Sequence, residues 1–211
     1  MDTHNSELPV SIVLLAAGSS DRMGKPKQTL TWYGTPLLVH QVQAAIDSKA
    51  NEVVVILGEN FNEYRSLLKT HLGSSFNNIN LVENVDWGLG KTTSVKLGIE
   101  NVSLNSKDII LWAADSPRSS QLINDLTEYH ISNNNLITYP WHNSKEGHPG
   151  IFSLSLRKEL LLISEEKQGL REIVNKTPSR VSKFISDDPL SIVNMNTLED
   201  YNQALSLTNQ I

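Results

Sequence analysis

Five short apolar runs separated by four amphipathic stretches constrain this chain more than any other feature. Val10–Leu15, Glu52–Leu57, Ile79–Val82, Asp108–Ala113 and Leu136–Tyr139 are compact and rich in Val, Ile and Leu, as strands buried on both faces are. Between them, Pro36–Ser48, Phe61–Leu72, Thr92–Asn101 and Ser119–Ile131 carry apolar residues at helical spacing. Leu37, Val42, Ala45 and Ile46 share one helical face, and Leu122, Leu126 and Tyr129 share another. Pro36 suits a first helical turn, and Ser119 or Ser120 suits a cap. Alternation of this kind predicts an α/β fold: a mostly parallel sheet in three layers, with helices on both faces.

After Pro140 the pattern loosens. Trp141–Pro149 reads as a polar loop, Ser155–Ile163 and Gly169–Asn175 as short helices, and Thr197–Leu207 as a terminal helix opened by a threonine. No repeat or Pro/Gly-rich linker divides the 211 residues, so a single domain over 1–211 is expected. The net charge of −5 supplies no basic field for nucleic acid. There is no cysteine for a disulfide or a thiolate site, and the histidines lack ligand spacing, which argues against zinc. Apolar runs as short as Ile12–Ala17 do not cross a bilayer, and the polar, acidic start is unlike a signal peptide. A cytoplasmic enzyme or binding protein, with no membrane partner, is the expectation.

In open α/β sheets, ligands bind beyond the carboxyl ends of strands, so the loops after Leu15, Val82, Ala113 and Tyr139 should converge. The first of them, Ala16–Lys27, combines small residues with Arg22 and Lys27. Small residues let backbone N–H groups approach an anion, and the cations beyond can neutralise phosphate charge. A plain flexible turn is the competing reading. The second loop, Asp86–Ser94, contains Gly90-Lys91-Thr92, which imitates the tail of a P-loop. That motif requires a glycine five positions before Gly90, where Val85 stands, so a P-loop NTPase becomes the minority reading. A helix start capped by Thr92 or Thr93 is the other alternative. The third, Ala113-Ala-Asp115-Ser-Pro117, ends an apolar strand in an acid suited to a hard cation, or to a simple helix cap. His148 is weaker: it could touch a substrate phosphate, or serve structure alone. The four tryptophans read as packing residues.

Together these segments resemble the MobA-like nucleotidyltransferase family, and most of all its molybdenum cofactor cytidylyltransferase branch. Leu15 through Lys27 matches the signature Leu-Ala-Ala-Gly-x-Ser-x-Arg-Met-Gly-x-Pro-Lys without a gap. Gly90-x-x-x-Ser94-Val-Lys-Leu-Gly98, Asp115-Ser-Pro117, Gly147-His148-Pro149 and Asn196-Thr-x-Glu-Asp200 resemble later family segments. Three departures stand out: Ser116 where glutamine is common, Lys91 where methionine is usual, and Lys167-Gln168-Gly169-Leu-Arg171 without the expected aspartate.

The resemblance implies a Rossmann-like sheet of the nucleotide-diphospho-sugar transferase type. It also implies transfer of a nucleoside monophosphate from an NTP, by the Ala-Ala-Gly pattern CTP, to a phosphorylated acceptor such as molybdopterin, with release of pyrophosphate. Arg22 and Lys27 become the catalytic cations. Leu15, Ala16, Ala17, Gly18, Ser19, Gly90 and Ser94 join them around the nucleotide. Asp115 becomes the Mg²⁺ ligand with Asn196 as a second, and Gly147 and His148 face the acceptor. A sugar phosphate or another small phosphate remains an alternative acceptor. A non-catalytic nucleotide-binding module remains an alternative of another class.

Overall fold

The first apolar run becomes the central strand of a sheet, buried from Val10 to Ala17. The structure, a computed structural model, describes residues 8–18, 26–176 and 178–208. Its strands are β1 (Leu8–Ala16), β2 (Thr31–Trp32), β3 (Thr35–Pro36), β4 (Ala50–Leu57), β5 (Asn80–Glu83), β6 (Asp108–Ala113), β7 (Ile137–His142), β8 (Lys145–Glu146), β9 (Gly150–Ser153) and β10 (Val181–Ile185). The helices are α1 (Leu37–Ile46), α2 (Phe61–Leu72), α3 (Lys91–Asn101), α4 (Ser120–Ser132), α5 (Arg157–Leu161), α6 (Leu170–Lys176) and α7 (Leu198–Thr208).

The main sheet runs β10-β7-β9-β6-β1-β4-β5, with β8 paired to β7. The β4, β5 and β6 pairings around β1 are parallel, as is β10 with β7, whereas β9 runs antiparallel to both neighbours. The side-chain alternation of β1 builds both halves of the core. Ile12 and Leu14 pack with Leu38 and Val42 of α1, Leu68 of α2 and Leu126 of α4. Val13 and Leu15 point the other way, toward Val95 and Ile99 of α3, Leu160 of α5 and Ile173 of α6. Each such side chain contributes about 1.5–3 kcal/mol when fully buried. The three layers anticipated from the sequence are therefore present. A smaller apolar cluster joins Trp32 and Leu37 to Leu190, Met195 and Ala204, and so seats α7.

Gly98 sets the spacing between α3 and β1. A Cβ there would lie 2.3 Å from a Val13 methyl. Ser119 caps α4 by accepting from the Leu122 amide at 3.1 Å. Thr197 and Asp200 cap α7 reciprocally: the Asp200 amide donates to Thr197 Oγ1 and the Thr197 amide to Asp200 Oδ2.

The segment 141–149 departs from the loop expected. β7 continues to His142 and turns back through Asn143 and Ser144, both at positive φ, into β8. Positive φ at both central residues is the tight hairpin turn whose twist matches its strands. No helix among the described residues is long and apolar enough to cross a membrane.

Candidate active site

Three of the four loops expected to converge do so. A cavity of about 470 Å³ opens at the carboxyl ends of β1, β5 and β6, lined by Leu15–Gly18, Lys27, Gln28, Trp87, Gly88, Gly90, Lys91, Ser94 and Ala113–Asp115. Leu15, Ala16, Ala17, Gly18, Lys27, Gly90, Ser94 and Asp115 thus meet as anticipated. The hairpin after β7 does not line this cavity, and neither do Gly147 and His148. Ser19 and Arg22 lie outside the described residues.

The first loop is fastened at its base by a residue that the sequence did not single out. Gln28, 7% exposed, donates from Nε2 to the carbonyls of Ala16 (3.1 Å) and Gly18 (3.2 Å), and its Oε1 accepts from the Tyr64 hydroxyl at 3.5 Å. The amide holds the outgoing and returning chain together, so the mouth of the loop is fixed. The loop after β6 hangs on β1 through the Ala114 amide and the Leu15 carbonyl, 3.0 Å apart.

Across the cavity mouth, Lys27 Nζ lies 3.1 Å from Asp115 Oδ2 and 3.4 Å from Asn196 Oδ1. Both acidic and basic partners are largely shielded, at 28% and 15% side-chain exposure. Asn196 is far from both in sequence. It is delivered by the segment before α7, where the Met195 amide donates to the Asp115 carbonyl (3.0 Å) and Ser116 Oγ pairs with Asn194 Oδ1 (2.9 Å).

Two oxygens from separate loops therefore already converge on a cation. Mg²⁺ takes oxygen ligands, commonly one or two carboxylates completed by phosphate oxygens and water. The pair fits a metal that arrives with a nucleotide. It does not make an all-protein cage: no cluster of three His, Asp or Glu side chains occurs among the described residues.

The second loop is shaped by Asn84 and Glu165, which the sequence also left unmarked. Asn84 Nδ2 donates to Thr93 Oγ1 (2.9 Å) and Ser94 Oγ (2.8 Å), while its Oδ1 accepts from the Asp86 amide. Glu165 Oε1 accepts from the Thr92 amide at 2.6 Å, so a carboxylate from a distant turn caps α3. Neither Thr92 nor Thr93 caps the helix. Thr93 Oγ1 instead donates to the Gly90 carbonyl. Gly90 has φ 117°, and a Cβ there would meet the Glu165 side chain at 2.5 Å. Trp87 is half-buried against the apolar core and also forms part of the cavity wall.

Residues 12–181 match the MobA-like NTP transferase domain. The chain belongs to that family. A molybdenum cofactor cytidylyltransferase of Escherichia coli is 27% identical over 144 residues, covering 68% of this chain and 70% of that protein. A molybdenum cofactor guanylyltransferase of Pseudomonas putida is 30% identical over 120 residues, covering 56% of each. The bifunctional protein GlmU of Sorangium cellulosum is 28% identical over 112 residues, and the match spans 52% of this chain but only 23% of GlmU.

Among solved structures, a homologue of Mycobacterium tuberculosis Rv0371c from Mycobacterium sp. strain JC1 has a TM-score of 0.79 at 22% identity, covering 97% of this chain and all of that one. Rv0371c itself has been solved in complex with manganese, with a TM-score of 0.74 at 19% identity and 93% and 98% coverage.

Within this MobA-like domain, Arg118 ties the residues before β9 to the loop that carries Asp115, outside the cavity lining. Arg118 is 1% exposed, and burial lowers its pKa to about 9. Gly147 is wedged against the 189–193 segment, where a Cβ would fall 2.1 Å from the Ser191 carbonyl. His148 donates its amide to that same carbonyl at 2.9 Å, and its ring meets Tyr139 edge-on. Desolvation of the imidazole, with Lys91 and Arg118 nearby, pushes its pKa down to about 4 against the opposing pull of Asp115.

Proposed function

We propose that this chain is a cytoplasmic, Mg²⁺-dependent nucleotidyltransferase that moves CMP from CTP onto a phosphorylated small molecule, with molybdopterin the first acceptor to test. All of this would be carried by one domain over 1–211, since a single sheet takes strands from residue 8 to residue 185. One observation carries the reading: Lys27, Asp115 and Asn196 converge at the mouth of a cavity walled by Leu15–Gly18. The cytidine assignment rests on the Ala-Ala-Gly pattern and on the cytidylyltransferase relative that spans two thirds of this chain.

In the proposed reaction, an oxygen of the acceptor phosphate attacks the α-phosphorus of CTP. The bond from that phosphorus to the oxygen bridging the α- and β-phosphates breaks, and pyrophosphate leaves with the bonding pair. An ionised phosphate is already a nucleophile, so no general base is required; positioning and charge neutralisation supply the rate. Backbone groups of Ala16–Gly18 and the Gly90–Ser94 edge would hold the nucleoside end. Lys27, with Arg22, would meet charge building on the leaving phosphates. When bound by Asp115 and Asn196, Mg²⁺ supplies further positive charge to the triphosphate oxygens. Gly147 and His148, although outside the cavity lining, would meet the acceptor as it enters.

The P-loop alternative is disfavoured by Glu165. Its carboxylate occupies the start of α3, where a P-loop would present free amides to phosphate. A pyrophosphate-release assay with Mg²⁺, a panel of NTPs and candidate phosphorylated acceptors tests the proposal. Pyrophosphate should appear with CTP and an acceptor, and should vanish in Lys27→Ala. Orthophosphate release that is lost in Lys91→Ala but kept in Lys27→Ala would overturn it. Binding of CTP with no turnover on any acceptor would replace it with a binding module.

A further inference from the structure

Among the described residues, Arg118 is a buried cation with no acidic partner at contact distance. Asp188 and Asp115 act on it through space, and neither forms an ion pair with it. A buried guanidinium in this position must be solvated by dipoles or be strongly unfavourable. Four of its N–H donations go to carbonyls: Nε to His148 (2.6 Å), Nη1 to Pro117 (2.6 Å), and Nη2 to both Ser191 (3.0 Å) and Val193 (2.9 Å). Its own amide donates to the buried Gln41 Oε1 at 3.0 Å. These carbonyls belong to three separate segments: the loop carrying Asp115, the turn before β9, and the stretch leading to Asn196. A rigid planar fork can fix three such segments at once, where a lysine, with one rotating point charge, cannot.

We propose that Arg118 is the positioning residue of the metal-side pair, setting where Asn196 stands relative to Asp115. The proposal rests on the reading that Asp115 and Asn196 hold the metal. Arg118 does not line the cavity, so it would act only through the segments that it joins. Ser116 and Asn194 form a second, weaker tie between two of the same segments.

Mn²⁺ binding measured by the paramagnetic signal of the free ion, in the presence of CTP and without acceptor, tests this without turnover. Wild type, Asp115→Asn, Arg118→Lys and Arg118→Gln are compared, alongside CTP affinity measured in a metal chelator. Loss of a group that orients metal ligands commonly weakens metal binding by 10-fold or more, so Arg118→Lys should raise the Mn²⁺ dissociation constant about tenfold. Metal-free CTP affinity should stay at the wild-type value. A purely structural Arg118 would lower the melting temperature with Mn²⁺ affinity unchanged in the folded protein, and that result overturns the proposal. Should Arg118→Lys fail to fold, Arg118→Gln, which keeps a planar donor group but not the fork, is read in its place. Weaker Mn²⁺ binding there supports the proposal, and wild-type binding overturns it. If Asp115→Asn binds Mn²⁺ as wild type does, the metal assignment itself fails, which is a distinct result from failure of Arg118 alone.

Discussion

Asp115 carries the sharpest expectation at the scale of single residues. It is partly exposed at the cavity mouth and is not part of the apolar core. Asp115→Ala should therefore abolish metal-dependent pyrophosphate release while the melting temperature stays near wild type. Retained activity would remove Asp115 from the mechanism. His148 makes a separate prediction about pH. Its pKa falls to about 4 in the folded protein from an ordinary 6.5, chiefly by desolvation of the ring, but the residue keeps an exposed surface, so solvent screening leaves only a small effect on stability. Between those values the unfolded chain binds more protons, so this group's contribution to stability is present above pH 6.5 and is lost as the pH falls toward 4. Urea unfolding of His148→Asn should accordingly decline less steeply than wild type over that window. Equal slopes would show that His148 is not the responsible group.

At the scale of elements, α3 is held at two points that can be tested independently. Its N-terminal amide at Thr92 depends on Glu165, so Glu165→Ala should cost about 1 kcal/mol in urea unfolding, the usual value of a lost cap. Its approach to β1 depends on Gly98, where an added methyl meets Val13. Gly98→Ala should cost roughly 1–3 kcal/mol, as overpacking of a close contact does.

Elements of this kind differ in how well the sequence announces them. β6 and α2 have the bounds expected, because a continuous apolar run and a long amphipathic period are strong local signals. β9 and β10 were missed. β9 is only Gly-Ile-Phe-Ser, too short to show a period, and β10 is a half-buried edge strand in which Lys183 interrupts the face shared by Val181 and Ile185. The candidate site divides along the same line. Lys27 and Asp115 sit in contiguous motifs and were legible. Gln28, Asn84, Arg118 and Glu165 act through partners that are distant in sequence or are backbone groups, and no local pattern marks them. Glu165, for example, reaches an amide 73 positions away.

At the scale of the whole molecule, the cleft should announce its ligand through stability. A ligand at 100 times its dissociation constant adds about 2.7 kcal/mol, which for a chain of this size raises the melting temperature by roughly 5–11 °C. CTP with Mg²⁺ should produce such a shift, and GTP a smaller one. A larger shift with GTP would reverse the choice of base while leaving the transfer chemistry in place.

The reversed direction of β9 has a consequence for how such a molecule can diversify. Gly150 pairs with Leu111, so the start of β9 lies toward the carboxyl end of β6, and the turn before β9 stands at the same end of the sheet as the cleft without lining it. The parallel strands on the other side are linked by helical crossovers that are locked into both apolar layers. The hairpin and turn at 143–149 connect antiparallel neighbours and carry no crossover. The exposed tip at 143–146 can gain or lose residues at little cost to folding, whereas Gly147 and His148 are pinned against Ser191 and Arg118.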